Sequence, residues 1–162
     1  MRALVLYYSN TGNTQKVAKA LAERLGADLA EITCQTYLTW YRPLAIAWDV
    51  FTRHHPKVSI VAPQHAHYDL VIVGGPVWAA RAAPPVMSAF EMLPEADAAA
   101  VFVTCAGTSP NSPPEPALAE MKAAAPSPAI ASQIFREDEI GGPMLGQRLT
   151  ELVERLQGKV QA

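Results

Sequence analysis

Apolar runs and polar loops alternate along the chain. Five short runs are largely apolar, which is typical of strands buried on both faces of a sheet. These runs cover residues 3–7, 27–33, 69–75, 98–105 and 129–135. Several of the intervening stretches carry apolar residues at helical spacing instead. Strands that alternate with helices predict an α/β fold, with a mainly parallel sheet and helices on both faces.

Helix boundaries follow from the spacing of apolar residues and from terminal signals. The first helix ends at Gly26, where a C-cap glycine belongs. Pro84 and Pro85 can open another helix, because proline is tolerated in the first helical turn. The expected helices cover residues 14–25, 84–93, 116–125 and 145–156.

The segment 34–67 departs from this alternation. A further helical stripe, which runs to about residue 53, is formed by Trp40, Tyr41, Leu44, Trp48 and Phe51. We expect this stripe to pack in the core, and the alternative is that it borders a ligand opening. Residues 54–67 are expected to form a loop, and residues 136–139 a solvated turn. No domain boundary is evident, so we expect a single domain over residues 1–162.

Composition narrows the class of function. The chain has 162 residues, half of them apolar, which fits one domain with a substantial core. A formal charge of −2 and a pI near 6.1 argue against a nucleic-acid partner, which requires a basic face. No apolar run reaches the roughly 20 residues of a bilayer span, and the N-terminus lacks the pattern of a signal peptide. We therefore expect a cytoplasmic protein with no membrane partner.

The cysteines and histidines do not indicate a metal site. Cys34 and Cys105 fit free thiols in a reducing compartment. The histidine pairs at 54–55 and 65–67 lack neighbouring cysteine or carboxylate ligands in the sequence, which makes them weak evidence for zinc. We expect loop histidines and no bound metal.

Small polar residues crowd the loop that joins the first strand to the first helix. The loop consists of Ser9, Asn10, Thr11, Gly12, Asn13 and Thr14. An open parallel sheet binds ligands beyond the carboxyl ends of its strands, and a helix N-terminus in that place favours an anion. The loop is neither GxxxxGK[ST] nor GxGxxG, and it has no basic residue. It predicts a phosphate site for a tightly bound cofactor, and the alternative is a strand-to-helix turn with ordinary Ser/Thr caps.

Two more loops follow strands and should meet the first one. Residues 74–85 place Trp78 after the third strand, and residues 104–112 place Gly107 after the fourth. The carboxyl ends of parallel strands lie at one edge of a sheet, so the three loops should converge. Trp78 beside a phosphate site suits stacking on a flat ring, and the alternative is packing between a helix and the sheet.

The three loops resemble those of flavodoxins and flavodoxin-like FMN proteins. "YSNTGNT" resembles the phosphate loop, "VGGPVWAARAAPP" the second loop and "VTCAGTS" the third loop. The resemblance covers nearly the whole chain and implies a five-stranded parallel sheet in the order 2-1-3-4-5 with one bound FMN. It implies that the loop from Ser9 to Thr14 holds the phosphate. It also places Pro76, Val77, Trp78 and Ala79 on one side of the flavin ring, and Cys105, Ala106, Gly107 and Thr108 at the other edge.

Three departures from electron-carrier flavodoxins bear on the activity. The third loop has no stacking tyrosine, and the chain is not strongly acidic. Ala79 stands where many flavodoxins have a glycine whose peptide can turn over. Because alanine disfavours positive φ, we expect the flavin to be reduced mainly in two-electron steps. An uncovered ring face would admit a nicotinamide or a quinone.

These features favour a small NAD(P)H- or quinone-linked flavin reductase, with a flavodoxin electron carrier as the alternative. The partner would be NAD(P)H, a quinone or a redox protein, and a homodimer remains open. No catalytic residue is named, because the flavin itself performs the chemistry. The hypothesis from another class is a flavin-free module that binds a phosphorylated partner through the same loops.

Overall fold

A seven-stranded sheet forms the centre of the molecule. The computed structural model describes residues 1–62, 65, 67–107 and 109–160. The strands are β1 (Ala3–Tyr7), β2 (Asp28–Thr33), β3 (Ser59–Val61), β4 (His67–Trp78), β5 (Arg81–Ala82), β6 (Glu95–Cys105) and β7 (Ala129–Arg136). The main path through the sheet is β3-β2-β1-β4-β6-β7, and β5 pairs with β4 away from this path.

The prediction of five strands in the order 2-1-3-4-5 is wrong in its count and incomplete in its order. The pairs β2–β1, β1–β4, β4–β6 and β6–β7 are parallel, as expected for a sheet with crossover helices. Two short antiparallel strands are added to them. One is β3 at the edge beside β2, within a segment that was expected to be a loop, and the other is β5. Both are too short to give a periodic sequence signal.

Helices cover both faces of the sheet. They are α1 (Asn13–Leu25), α2 (Arg42–Thr52), α3 (Pro84–Phe90), α4 (Glu115–Ala124), α5 (Glu137–Gly141) and α6 (Met144–Val160), with a 3-10 turn at Gln35–Leu38. Val17 and Leu21 of α1 and Leu149 of α6 pack against one face of the sheet. The other face is covered by α3 and α4, through residues such as Val86 and Met121. None of the helices in the described ranges is long and apolar enough to span a bilayer.

Close packing inside the sheet requires a glycine at one position. The ring of Phe102 in β6 lies directly over Gly74 of β4, where an added Cβ would come within 2.0 Å of its Cζ. Gly74 also accepts a hydrogen bond through its carbonyl oxygen from the amide of Tyr8, at 3.1 Å. This hydrogen bond fixes the start of the first loop against β4.

Two local expectations are wrong. Residues 136–139 are not a solvated turn, because they include the start of α5, where Glu139 is buried and pairs with Arg148 at 3.3 Å. The aromatic stripe of residues 40–51 does not pack in the core either. Trp40 is 91% exposed and Phe51 is 87% exposed.

Candidate functional site

The three loops that were predicted to bind the ligand lie at the carboxyl edge of the sheet, beyond β1, β4 and β6. The first helix is attached to this edge by a buried contact between two hydroxyl groups. Thr14 Oγ1, in the first turn of α1, lies 2.7 Å from Thr104 Oγ1 near the end of β6. Both side chains are buried, so this hydrogen bond is shielded from water. It fixes the first loop relative to the third loop.

The first loop has the backbone shape of an anion site. Gly12 is the N-cap of α1 and adopts φ 95°, which an L side chain rarely adopts. Its amide donates to Ser9 Oγ at 3.1 Å, so the hydroxyl hydrogen of Ser9 remains available to another acceptor. A Cβ built on Gly12 meets no described atom within 4 Å. Gly12 directly precedes the first amides of α1, which lie at the positive end of the helix dipole.

The remaining polar residues of this loop are partly committed to protein contacts. Asn10 and Thr11 are exposed, and Asn13 is half-buried. Asn13 Nδ2 donates to Glu137 Oε1 of α5 at 3.1 Å. Thr14 is 2% exposed, and its hydroxyl already has Thr104 as a partner. The predicted phosphate donors thus differ in access, and Thr14 is the most enclosed of them.

Trp78 belongs to a group of three aromatic rings at the end of β4. Its ring centroid lies 5.8 Å from that of Tyr8 in an edge-to-face arrangement and 6.0 Å from that of Tyr37. Trp78 is half-buried, whereas Tyr8 and Tyr37 are buried. Burial raises the pKa of Tyr8 to about 12 and also raises the pKa of Tyr37. Both phenols are therefore neutral at physiological pH, and the three aromatic rings form an uncharged surface beside the first loop.

The buried carboxylate of Asp49, on α2, holds the ring of Tyr37 in place. The hydroxyl of Tyr37 donates to Asp49 Oδ2 at 2.7 Å. The other carboxylate oxygen, Oδ1, lies 2.7 Å from His54 Nδ1, and Asp49 is 4% exposed. A buried carboxylate with two close partners is satisfied rather than strained. The hydrogen bonds thus connect the position of α2 to the ring of Tyr37 and, through it, to Trp78.

The loop after Trp78 corrects the expectation for Ala79. This residue has φ 48° and Ala80 has φ 62°, so both adopt the positive φ that the sequence argument disfavoured. They form a two-residue hairpin turn between β4 and β5, in which Trp78 pairs with Arg81. Such turns require positive φ at both central residues and usually carry Asn-Gly. The argument that Ala79 prevents a glycine-like backbone conformation is therefore wrong.

Contacts with the following elements hold this strained turn in place. The amide of Ala80 donates to Ser112 Oγ at 2.9 Å, which joins the second loop to the segment after the third. Arg81 forms an ion pair with Glu120 of α4 at 2.6 Å. The other oxygen of that carboxylate accepts from the amide of Ala82 at 3.2 Å. Arg81 is thus committed to a structural ion pair rather than held free for an anionic substrate.

The third loop begins at the end of β6 and carries small side chains. Cys105 and Gly107 are half-buried, and Ala106 is exposed. Burial raises the pKa of the Cys105 thiol, and Cys34 is likewise a free thiol with a raised pKa, so neither cysteine is activated as a nucleophile. A Cβ on Gly107 would meet no described atom within 4 Å. Thr108, also predicted to bind the cofactor, lies outside the described residues.

Three residues at this edge were missed from the sequence. Tyr8 and Tyr37 flank Trp78. Tyr8 begins the motif "YSNTGNT" but was assigned no role, and Tyr37 lies outside the three loops. Arg136, at the end of β7, pairs in register with Cys105 and brings a guanidinium group to the edge. Its buried Nε has no hydrogen-bond acceptor among the described residues. No local pattern could reveal Arg136, because it lies far from the three loops in the sequence.

The histidines do not form a metal centre in the part of the chain that the structure describes, where no three potential ligands converge. Each histidine instead lies near one carboxylate, as His67 does near Asp97 at 3.1 Å.

An open α/β sheet with a polar loop that opens into a helix N-terminus defines the class of doubly wound ligand-binding folds. A sequence model of the flavodoxin family matches residues 2–140. The chain belongs to the flavodoxin family. No curated protein matches it.

Solved structures share the fold at low sequence identity. A flavoprotein of Lactobacillus acidophilus NCFM, solved in complex with FMN, is 22% identical with a TM-score of 0.65, and the match covers 86% of this chain and 96% of that chain. A flavodoxin from the domain Archaea is 15% identical with a TM-score of 0.56, and both chains are covered completely. Oxidised Flavodoxin 1 of Bacillus cereus is 16% identical with a TM-score of 0.54, over 97% of this chain and 98% of that one. These similarities establish the fold.

Proposed function

We propose that the protein is an FMN-dependent redox protein that works as a small reductase, with NAD(P)H or a quinone as its partner. The cofactor is FMN, because the chain belongs to the flavodoxin family. The observation that supports a reductase is the lack of any aromatic side chain in residues 104–112, and no described atom lies within 4 Å of a Cβ built on Gly107. A flavin ring covered on one side by Trp78 would keep its other side accessible to a second flat molecule.

The residues at the carboxyl edge fit the phosphate of FMN. The first amides of α1 and the hydroxyl of Ser9 supply donors, and Gly12 at the N-cap carries no side chain that would cover them. Arg136 adds a positive charge at the same edge, with a buried Nε that lacks an acceptor among the described residues. Apart from one guanidinium, these donors are neutral. Such a set suits binding of the cofactor's phosphate rather than transfer of a phosphoryl group.

The residues of the second loop fit one side of the flavin ring. The half-buried Trp78 offers an aromatic surface, and Tyr8 and Tyr37 hold the indole in place. Bound FMN supplies the redox chemistry. In this proposal the chain orients the ring through Pro76, Val77, Trp78 and Ala79, and it excludes water on that side. Cys105, Ala106 and Gly107 border the opposite edge in this proposal.

An electron carrier is the second candidate, and the hairpin turn favours it. Ala79 and Ala80 already have the positive φ that a turned-over peptide needs. One objection to one-electron transfer, the alanine after Trp78, is thereby removed. The missing third-loop tyrosine and the weakly acidic charge still distinguish this chain from a typical carrier.

Anaerobic titration of the FMN-loaded protein separates the two candidates. A reductase should be bleached by a stoichiometric amount of NADH or NADPH within seconds, or after reduction by dithionite it should be reoxidised by a soluble quinone. Dithionite titration should then take the flavin spectrum from oxidised to fully reduced without a dominant half-reduced stage. A half-reduced spectrum that dominates at the midpoint, with no response to nicotinamide or quinone, would assign the protein to the carriers.

The flavin-free alternative is tested by the same preparation. If the purified protein carries no yellow chromophore and does not quench added FMN, the loops serve a phosphorylated partner instead. We propose the cytoplasm as the compartment, where the Cys34 and Cys105 thiols stay reduced.

Thr14 provides a test of the phosphate position. Replacing Thr14 by valine keeps the shape of the side chain but removes the hydroxyl in the first turn of α1. When Thr104 is the donor of the buried hydroxyl pair, the hydrogen of the Thr14 hydroxyl is free to donate to the phosphate. We expect FMN to bind about tenfold more weakly, since a hydrogen bond of this kind contributes roughly 1–1.5 kcal/mol. Riboflavin, which lacks the phosphate, should bind nearly unchanged. Fluorescence quenching of both flavins measures the two affinities.

The matched control is Thr104→Val, because Thr104 is the other half of the buried hydroxyl pair. If Thr14 acts on the phosphate itself, the control should weaken both flavins equally and only slightly. If instead Thr14 only ties α1 to β6, the two variants should behave alike. Equal losses for FMN and riboflavin in Thr14→Val would rule out a phosphate contact.

A further inference from the structure

The outer side of α2 is apolar, which is unusual for the surface of a monomeric protein. Helical spacing places Leu44, Ala47, Trp48 and Phe51 on one side of this helix, and Leu38, Trp40 and Tyr41 precede it. We call these seven residues the α2 face. Its large side chains are exposed, with Leu38 at 70%, Trp40 at 91%, Leu44 at 73%, Trp48 at 66% and Phe51 at 87%.

The inner side of the same helix carries its buried polar residue. Asp49 points inward to Tyr37 and His54, while Ala45 and Ile46 are only partly buried against the core. A surface helix normally places its apolar stripe toward the core and its polar residues toward solvent. In this helix the larger apolar side chains face outward instead, and Ala45 and Ile46 are the ones that pack against the core beside Asp49. Folding of the single chain therefore leaves its main apolar surface uncovered.

We propose that the α2 face is the interface of a symmetric homodimer in which α2 packs against α2 of a second copy. The proposal does not depend on the bound cofactor. It does place the second copy next to the cofactor site, because Leu38 and Arg42 line one cleft together with Tyr8, Ser9 and Asn10. The second copy would then form an outer wall of that cleft.

The exposed area matches what a stable dimer needs. Fully exposed aromatic side chains each present about 200 Å², so the four rings of Trp40, Tyr41, Trp48 and Phe51 present roughly 600 Å² at their exposed fractions. Leu38 and Leu44 bring the total close to the ~800 Å² that each partner contributes to an interface of standard size. Monomers seldom expose a contiguous apolar patch beyond a few hundred Å².

The shape of the face suits helix-to-helix packing. Leu44 and Trp48 form one row with a spacing of four residues, and Ala47 and Phe51 form the neighbouring row. Rows of this kind on two helices interdigitate in the commonest class of helix crossing. The small side chain of Ala47 lets the two backbones approach. A two-fold axis brings the same rows together on both copies, as an isologous interface requires.

Charge favours a second copy over a lipid surface. The α2 face contains no charged side chain, and Arg42 and Arg53 stand at the two ends of the helix. Helices that lie in a membrane interface are rich in lysine and arginine on their polar side, whereas α2 contains a single basic residue, Arg42, and its Asp49 is buried. The formal charge of −2 also gives no attraction to anionic lipids and little repulsion between two copies.

Sedimentation velocity of the full chain over a range of concentrations tests the proposal. We expect a species of twice the 17.4 kDa chain mass, which dissociates on dilution while the tryptophan emission shifts to the red. Trp48→Glu should raise the dimer dissociation constant by roughly 100-fold or more, as removal of a central interface aromatic does. Because Trp48 is exposed, this variant should keep the far-UV circular dichroism of the parent chain.

The matched control is Met144→Glu, the same kind of change at an exposed apolar residue on α6, which packs against the opposite face of the sheet. This control should dimerise like the parent chain. A chain that stays monomeric at every concentration would overturn the proposal. So would a dimer that Trp48→Glu leaves intact, or a monomer that floats with vesicles containing anionic lipid, since the last outcome would assign the α2 face to a membrane surface.

Discussion

Replacing Gly12 by alanine should weaken FMN binding by roughly 100-fold, the largest loss that we expect from a single methyl group in this chain. Gly12 adopts φ 95°, and a non-glycine residue with a left-handed backbone costs about 1–2 kcal/mol. In the proposed binding mode the added methyl group at the N-cap of α1 would also lie beside the phosphate. Strain in the loop and obstruction of the ligand therefore act together.

The chain offers a matched control at the other end of the same helix. Gly26 is the C-cap of α1 with φ 60°, and an added Cβ there also meets no described atom within 4 Å. Gly26→Ala should lower the free energy of unfolding of the apoprotein by a similar 1–2 kcal/mol without weakening FMN beyond that effect. Thermal unfolding compares the stability of the two variants, and flavin titration compares their affinity for FMN. If the two variants lose the same affinity, Gly12 has no special relation to the phosphate.

Local sequence signals predicted the parts of this fold that are set by residues close together in the sequence. The buried parallel strands are visible because burial on both faces forces long apolar runs, as in β4 and β6. Gly26 marked the end of α1 because only a residue that tolerates positive φ ends a helix in this way. The first loop was recognised because its polar residues lie between a strand and a helix and are consecutive in the sequence. The family resemblance was likewise visible in three short motifs of consecutive residues. The match to the model of the flavodoxin family confirms it.

Features that depend on distant contacts could not be predicted. The positive φ of Ala79 and Ala80 is imposed by pairing of β4 with β5 and by the bond from Ala80 to Ser112, whereas local propensity opposes it. Arg136 reaches the site because β7 lies beside β6. Leu44, Trp48 and Phe51 of the predicted stripe are helical, whereas Trp40 and Tyr41 precede α2. The period alone does not say which side of the helix faces the protein. The side of α2 that faces the protein is set by Asp49, whose carboxylate is hydrogen-bonded to Tyr37 and His54.

Trp78 should be the main aromatic contact of the flavin ring, and its removal should affect FMN and riboflavin alike. The residue is half-buried, and Tyr8 and Tyr37 hold it from two sides. Trp78→Ala removes a ring contact and the apolar area buried with it, together worth about 1.5–3 kcal/mol, so both flavins should bind roughly 10- to 100-fold more weakly. Trp78→Phe keeps an aromatic surface and should retain most of the affinity.

The fluorescence of Trp78 gives an independent measurement in the same protein. The chain contains three tryptophans, and replacing the exposed Trp40 and Trp48 by phenylalanine leaves Trp78 as the single indole. Its emission should be quenched on addition of FMN and recover when the flavin is removed. Thr14→Val would lose affinity for FMN alone, whereas Trp78→Ala loses affinity for both flavins, so the pair of variants separates phosphate from ring contacts. Unquenched emission from the single indole, with unchanged affinities in Trp78→Ala, would place Trp78 among the packing residues beside Tyr8 and Tyr37 and leave the ring to other residues of the edge.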